Sequence, residues 1–450
     1  TTLMGKMITL AINKFSSLDS YGMGVEMEGG KPGWNDAMNG LPGLFGSGMP
    51  EAFELKRLVR FIRDNVTEAE GLSLPVEIAE FTKNIYHILQ RADKEGLSDF
   101  AYWDEVTSLR ERYRDEVRFH LDGREERIAT GELKEIFTVF EGKINKGIDR
   151  ALSYGKGIVP TYFTFYASEF MPVTDGEGKP VIGHYGMPKA VVKTFEVNPL
   201  PYFLEGPAKM LGSLKDKEAA KKLYRNVKAS ELYDTELGMY KTCVPIEQLS
   251  MENGRIRAFT PGWLERESIF LHMEYKYLLS VLKAGLYSEF FEDIKTGLVA
   301  FRDPAQYGRS VLENSSFLAS SANPNRAIRG RGYQARLSGS TTEAVSMWIG
   351  MFMGEKTFTC EEGELKLHFD PRLPGWMFDK DGEASFNLFS ACRVTYHNPD
   401  HKDTYGEDGA KTERIVIMDT KQEFEGDTLS GERAEAVRQG KIKEIAVYLE

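Results

Sequence analysis

Cysteine is scarce: Cys243, Cys360 and Cys392 are the only three among 450 residues. An odd count at wide spacing cannot build a disulfide framework and suits a reducing cytosol, the compartment expected here. No Cys-x-x-Cys pair occurs and the seven histidines are scattered, so neither a metal nor an organic cofactor is expected. Apolar runs of about 18 residues, the length a spanning helix needs, are also missing, so no membrane partner is expected. Positive charge is in deficit, 57 Lys and Arg against 68 Asp and Glu, for a formal net charge of −11. A nucleic-acid partner is excluded on that balance, because affinity for phosphate chains rests on clustered cations. No repeat of fixed period runs through the chain.

What is present divides into three textures. From Leu3 to about Asp149 the apolar residues recur at helical spacing, as in the stripe Leu55, Leu58, Val59, Ile62 and Val66, opposed by Lys56, Arg57, Arg60 and Arg63. Met4, Met7, Ile8, Ile12 and Phe15 place the very start inside an amphipathic helix, and we expect a missing N-terminal part upstream of it. From about Ile158 to Tyr202 the period shortens to that of strands, an insertion expected at about 155–205. Helices are expected again at Ala208–Val227, Leu264–Leu282, Ser288–Phe301 and Thr341–Met353. After Gly354 come short β-rich segments, Phe358–Phe369, Ser385–His397, Ile415–Asp419 and Lys441–Tyr448, split by turn residues. The reading is a mainly α region over 1–354 followed by a small antiparallel β-sandwich over 355–450.

Long glycine-rich loops interrupt the helices, and long connections tend to carry function. In the first, Gly33-Trp34-Asn35-Asp36-Ala37-Met38-Asn39 joins helix to helix. A Trp beside a carboxylate suits sugar chemistry: the indole stacks on a pyranose face, and its bulk desolvates the acid and raises its pKa. The plainer alternative makes Trp34 core and Asp36 a turn cap.

This helix–loop–helix run resembles the inverting disaccharide and oligosaccharide phosphorylases typified by cellobiose and chitobiose phosphorylase. Their signature is an Asp-Trp-Asn-Asp run whose last Asp is the general acid. The resemblance makes Asp36 the acid and puts Trp34 and Asn35 in the sugar site, with Gly33 where the family has its first Asp. Glu265 and His272 stand seven apart, about two helical turns if the segment is helical, and so project to one side. On position alone the plainer account is favoured, a dipole-stabilised first-turn carboxylate and a half-buried imidazole. The family has a Glu-Asn-Gly-x-Ile-Phe-x-His segment with the same interval, in which the Glu binds sugar hydroxyls and the His contacts phosphate. Here Glu265, Ile269, Phe270 and His272 match, while Arg266-Glu267 replace Asn-Gly. A third stretch, Gly330-Arg331-Gly332 to Ser338-Gly339-Ser340, leads into a helix and is similar to the family's phosphate loop. It implies that Ser338 and Gly339 join His272 at phosphate. Arg309 and Glu313 lie four apart in a polar stretch, with Glu313 a candidate sugar contact, and Arg255 and Arg257 are further polar candidates.

The resemblance implies part of an (α/α)6 toroid followed by the β-sandwich. It further implies inverting phosphorolysis of β-linked gluco-oligosaccharides, β-1,3-glucan first and β-1,2-glucan or cellobiose next. Inorganic phosphate is the co-substrate and α-glucose 1-phosphate the product. A homodimer, or association with an N-terminal portion, is implied for partners. Two other readings stay open: an inverting hydrolase on the same toroid, with Glu265, Glu267 or Glu313 activating water, and a non-catalytic glucan-binding subunit.

Overall fold

A computed structural model describes residues 2–29, 33–66, 71–335 and 339–450. The chain is mixed α and β, and it divides into two compact units: residues 1–277 with 317–333, and 278–316 with 334–450. The boundary expected at 354 falls inside the second unit.

The first unit opens with helix α1 (Leu3–Phe15), followed by the short strands β1 (Val25–Glu26) and β2 (Ser47–Gly48) and helix α2 (Met49–Asn65). Then come β3 (Leu72–Pro75), α3 (Val76–Glu95), α4 (Asp99–Val117), β4 (Glu125–Ile128) and α5 (Thr130–Ser153). The helices form because each carries one apolar face and a defined end. Thr2 caps α1 by accepting from the Gly5 amide at 3.0 Å, and Ser98 caps α4 through the Ala101 amide at 3.1 Å. The inward faces build one large core, in which Phe15 stacks on Phe140 at 4.1 Å and Phe81 on Tyr113 at 4.3 Å. Each such ring contributes about 1.5–3 kcal/mol when fully buried.

The expected strand insertion is β5 (Tyr162–Pro172) and β6 (Ala190–Pro199), antiparallel and joined to the sheet order β1-β2-β5-β6. The helix expected over Ala208–Val227 is two, α6 (Glu205–Ser213) and α7 (Lys217–Lys228). Leu214 is extended, and Asp216 starts the second helix by accepting from the amides of Glu218 and Ala219. Two small strands follow, β7 (Tyr233–Asp234) and β8 (Met239–Tyr240), then β9 (Ile269–Phe270) and α8 (Leu271–Lys283).

In the second unit lie α9 (Tyr287–Gly297) and α10 (Pro304–Tyr307). Strands β10 (Ser315–Leu318) and β11 (Gly332–Ala335) each cross the division between the units, whereas α11 (Gly339–Met353) lies in the second. The remaining strands are β12 (Phe358–Glu361), β13 (Glu364–His368), β14 (Glu383–Leu388), β15 (Cys392–His397), β16 (Thr412–Ile417), β17 (Gln422–Glu425), β18 (Thr428–Ser430) and β19 (Glu444–Leu449), with α12 (Glu432–Arg438) before the last. Helices join this unit through aromatic contacts: Phe291 of α9 stacks on Tyr405 at 5.5 Å, and Phe352 of α11 meets Phe386 at 5.1 Å. Strands form a sheet of three, β12-β13-β18, and a sheet of five, β14-β15-β19-β16-β17. The latter is mixed rather than purely antiparallel as expected, since β15 and β19 run parallel from Arg393 opposite Glu444 to His397 opposite Tyr448. A parallel pair needs a long crossover, and residues 398–443 supply it.

Candidate functional site

The loop bearing Asp36 is held from beneath by its own apolar residues. Asn35 caps a 3-10 turn over Asp36–Met38, its side chain accepting from the Ala37 amide at 3.2 Å. Ala37, Met38 and Leu41 are buried in a small cluster with Tyr162, Phe203, Cys243, Leu249 and Ile256. Pinning these residues turns the intervening Asp36 carboxylate out to solvent, where it is exposed. Burial of Asp36 by its neighbouring indole, expected above, is therefore not what the fold produces.

Two glycines let this loop lie directly on the segment 250–258. The Gly40 amide donates to the Asn253 carbonyl at 3.1 Å, and a Cβ on Gly40 would fall 1.8 Å from the Glu252 carbonyl oxygen. Gly254, at φ +130°, faces the Ala37 carbonyl so closely that a Cβ would sit 2.3 Å from it. Only glycine permits either approach. Arg255 and Arg257 begin and continue the next 3-10 turn, and the Arg257 guanidinium donates to the Leu249 carbonyl at 2.8 Å.

Glu265 does not sit on a helix. The helix expected from Leu264 starts at Leu271, because residues 263–270 form a tight turn and a short strand instead. Trp263 and Arg266 exchange backbone hydrogen bonds at 3.1 Å in both directions, while Leu264 (φ +50°) and Glu267 (φ +57°) adopt left-handed backbone. The guanidinium of Arg266 fastens the turn, donating to the carbonyls of Arg257 at 2.8 Å and Phe259 at 3.0 Å and to Glu247 at 3.0 Å. The seven-residue interval from Glu265 to His272 thus spans a turn, a strand and the start of α8, and the helical-face argument for it fails.

Glu265 nevertheless lies within electrostatic reach of Asp36. Burial holds the Glu265 carboxyl above its ordinary value, the Arg255 cation pulls it down, and the Asp36 charge pushes it further up. Trp34 packs its ring against Phe270 at 5.5 Å between centroids, two residues before the half-buried His272. Trp34, Asn35, Asp36, Glu265 and the strand leading to His272 are therefore assembled in one unit. Around them the side-chain nitrogen of Asn35 and the side-chain oxygen of Asn253 are buried and have no hydrogen-bond partner among the described residues, while Nε of Arg266 and an oxygen of the adjacent Glu267 face each other as an ion pair at 3.6 Å. An unsatisfied donor and an unsatisfied acceptor flanking a solvent-facing acid suit a ligand rich in hydroxyls.

Glu313 and Gly339 belong to the second unit. Glu313 is exposed and paired with Arg309 at 3.4 Å, and Gly339 opens α11. Ser338 lies outside the described residues.

Sequence reasoning passed over Glu205. It is the first residue of α6, buried, and accepts a hydrogen bond from the Trp34 indole N–H. Burial pushes its carboxyl up to about 7, Glu51 adds to the rise, and Lys276, the indole and Lys209 oppose it. The same side chain lines a cavity of about 260 Å³ with Lys14, Glu51, Glu54, Leu55 and Lys209. Nothing local marks it, since a Glu opening a helix ordinarily answers the dipole.

His397 and His401 stand four apart, a metal-like interval in sequence, but His397 lies on β15 with its ring stacked on Tyr448 at 4.7 Å. Among the described residues no group of three or more His, Cys, Asp or Glu is placed to hold a metal ion, and no helix is long and apolar enough to cross a membrane. Compared with known protein families and with curated proteins, the chain matches none.

Proposed function

We propose that this chain carries the acid-bearing region of an inverting glycoside phosphorylase that cleaves β-linked gluco-oligosaccharides. β-1,3-Glucan is the first substrate, followed by β-1,2-glucan or cellobiose, and α-glucose 1-phosphate is the product. The observation that carries this reading is the meeting of two segments remote in sequence. Asp36 and Glu265 are near enough for one carboxylate to raise the other's pKa, with Trp34 docked on the strand before His272. In this reading the helices of the first unit form part of an (α/α)6 toroid, the C-terminal strands are its β-sandwich, and the protein works in the cytoplasm.

Each part has a chemical task. A phosphate oxygen attacks the anomeric carbon as the glycosidic bond breaks, and Asp36 delivers its proton to the departing oxygen. Phosphate is already a nucleophilic anion near neutral pH, so no base is required to activate it. Glu265 and the unsatisfied groups of Asn35 and Asn253 take sugar hydroxyls, while Trp34 supplies an apolar face. His272 receives phosphate. Help from a general acid is worth about 10²–10⁴-fold.

The closeness of Asp36 and Glu265 also favours a second reading, an inverting hydrolase in which Glu265 activates water opposite the acid. Incubating β-1,3-, β-1,2- and β-1,4-gluco-oligosaccharides with and without inorganic phosphate separates the two. Glucose 1-phosphate formed only with phosphate is expected; free sugar formed equally without it makes the chain a hydrolase. Asp36→Asn should lower turnover by about 10²–10⁴-fold. Near-full phosphorolysis by that variant would remove Asp36 from the role of acid.

A further inference from the structure

The Trp34 indole is held at two points. Its ring lies tilted at 46° against Phe270 of β9, and its N–H donates to Glu205, 171 positions further along the chain. Phe270 alone would leave the ring free to turn, since apolar attraction has no direction. The hydrogen bond removes that freedom, because an indole N–H drawn out of water without an acceptor is costly. The acceptor is itself fixed. Leu204 donates its amide to the Thr242 carbonyl at 2.9 Å, Gly206 donates to the Thr161 hydroxyl at 3.2 Å, and that hydroxyl donates to the Phe203 carbonyl at 2.7 Å. Phe203, Leu204, Gly206 and Pro207 are buried, so Glu205 projects from backbone pinned on both sides.

A carboxylate is an unexpected choice for this post if stability is its only purpose, since a glutamine would accept the same N–H with no charge to desolvate. The groups that face it come from each element packed around it: Glu51 and Glu54 of α2, Lys14 of α1, Lys209 of its own helix, Lys276 of α8 and Tyr162 of β5. Lys209 is engaged by Glu54 at 2.7 Å, and among the described residues the indole is the side-chain donor that Glu205 keeps. The indole bond pulls the Glu205 carboxyl down against its burial. By linkage, the ionised carboxylate grips the N–H more tightly than the neutral acid does.

We propose that Glu205 is a positioning residue for sugar binding: it fixes the plane of the Trp34 indole, so that a glucosyl unit entering beside Asp36 finds its apolar platform already in place. The inference rests on the reading of Trp34 as part of the sugar site. A platform that is wrongly turned part of the time weakens binding by that fraction, so an indole in place a tenth of the time costs about tenfold in affinity.

The test compares the full parent chain with Glu205→Leu, Glu205→Gln, Trp34→Phe and Glu205→Leu/Trp34→Phe. It measures calorimetric binding of β-1,3-, β-1,2- and β-1,4-gluco-oligosaccharides, and KM and kcat for their phosphorolysis. Glu205→Leu should raise Kd and KM about tenfold, the loss falling on KM rather than kcat. Glu205→Gln keeps an acceptor and should lie between that variant and the parent. Trp34→Phe has no N–H to hold, so adding Glu205→Leu to it should weaken binding no further. With ¹⁵N-labelled tryptophan, the indole signal that Trp34→Phe removes from the set of five should move as pH passes about 7 in the parent and stay still in Glu205→Gln. Where the leucine variant does not fold, the glutamine variant's signal decides. Every other carboxyl is present in both proteins, so a signal that moves equally in both overturns the inference. So does Glu205→Leu binding as tightly as the parent, or single losses that simply multiply in the double variant. A parent chain that binds none of the three oligosaccharides fails differently: it removes Trp34 from the role of sugar residue, whatever its indole signal does, and this inference with it.

Discussion

Replacing Glu205 by Gln removes a titration without removing its shape. The amide keeps an oxygen for the Trp34 indole and nearly the same volume, so the packing at the start of α6 should survive. What disappears is a carboxyl whose folded-state pKa is about 7 against an ordinary value of 4.5. Because the native pKa is raised, the folded state binds the extra proton. This group's contribution is therefore most favourable below the unfolded pKa and declines as pH rises through 7. At pH 5 the carboxyl costs the folded state about 1 kcal/mol and at pH 8 about 3 kcal/mol, a difference of about 2 kcal/mol. Urea unfolding of parent and variant at half-unit steps from pH 5 to pH 8 measures it. Other raised carboxyls, Glu26, Glu51, Glu265 and Glu267, titrate in both proteins, so the readout is the difference between the two curves. That difference should move steadily in favour of the Gln variant with rising pH. Parallel curves would mean that Glu205 ionises normally and that its burial against the indole is wrong.

Thiol chemistry provides an independent check. Burial pushes the Cys243 thiol up to about 12 and Cys392 up to about 11, whereas Cys360 is exposed. A native-state thiol titration should therefore label Cys360 within minutes and leave the other two protected until denaturant is added. Gly40→Ala should separate the acid's loop from its seat, since the new methyl would meet a backbone oxygen that cannot swing aside. A destabilisation of about 1–3 kcal/mol is expected from such overpacking. A loss of activity near 10²-fold should accompany it from an acid displaced by about an ångström. Unchanged melting and kinetics would refute the contact.

The helices were legible where one apolar face meets one core. The stripe Leu55, Val59 and Ile62 reads directly as α2 because those side chains are buried in the core while Lys56, Arg57, Arg60 and Arg63 alternate with them on the outer turns. The break between α6 and α7 was present in the sequence as Asp216 three residues before Ala219, a capping signal outweighed by the apolar period around it. The turn over 263–267 was not legible, because non-glycine residues hold its left-handed positions and no residue type announces them. Parallel pairing of β15 with β19 depends on a partner just over fifty positions away, which periodicity cannot see. Of the site, the residue types at Trp34, Asp36 and Glu265 pointed to one place, but the partner that holds the indole did not. Glu205 matters through what surrounds it, and burial is a property of the fold rather than of a motif.

The seating of the acid's loop on Gly40 and Gly254 couples the ends of a long stretch of synthesis. The segment carrying Asp36 leaves the ribosome more than two hundred residues before the backbone it rests on. Until that later backbone arrives, the Asp36 loop lacks its seat, however well the early helices have already collapsed. If Asp36 is the acid, activity must then wait for residues 250–258, and a nick between the two segments that lets them part would remove it while leaving the early helices intact.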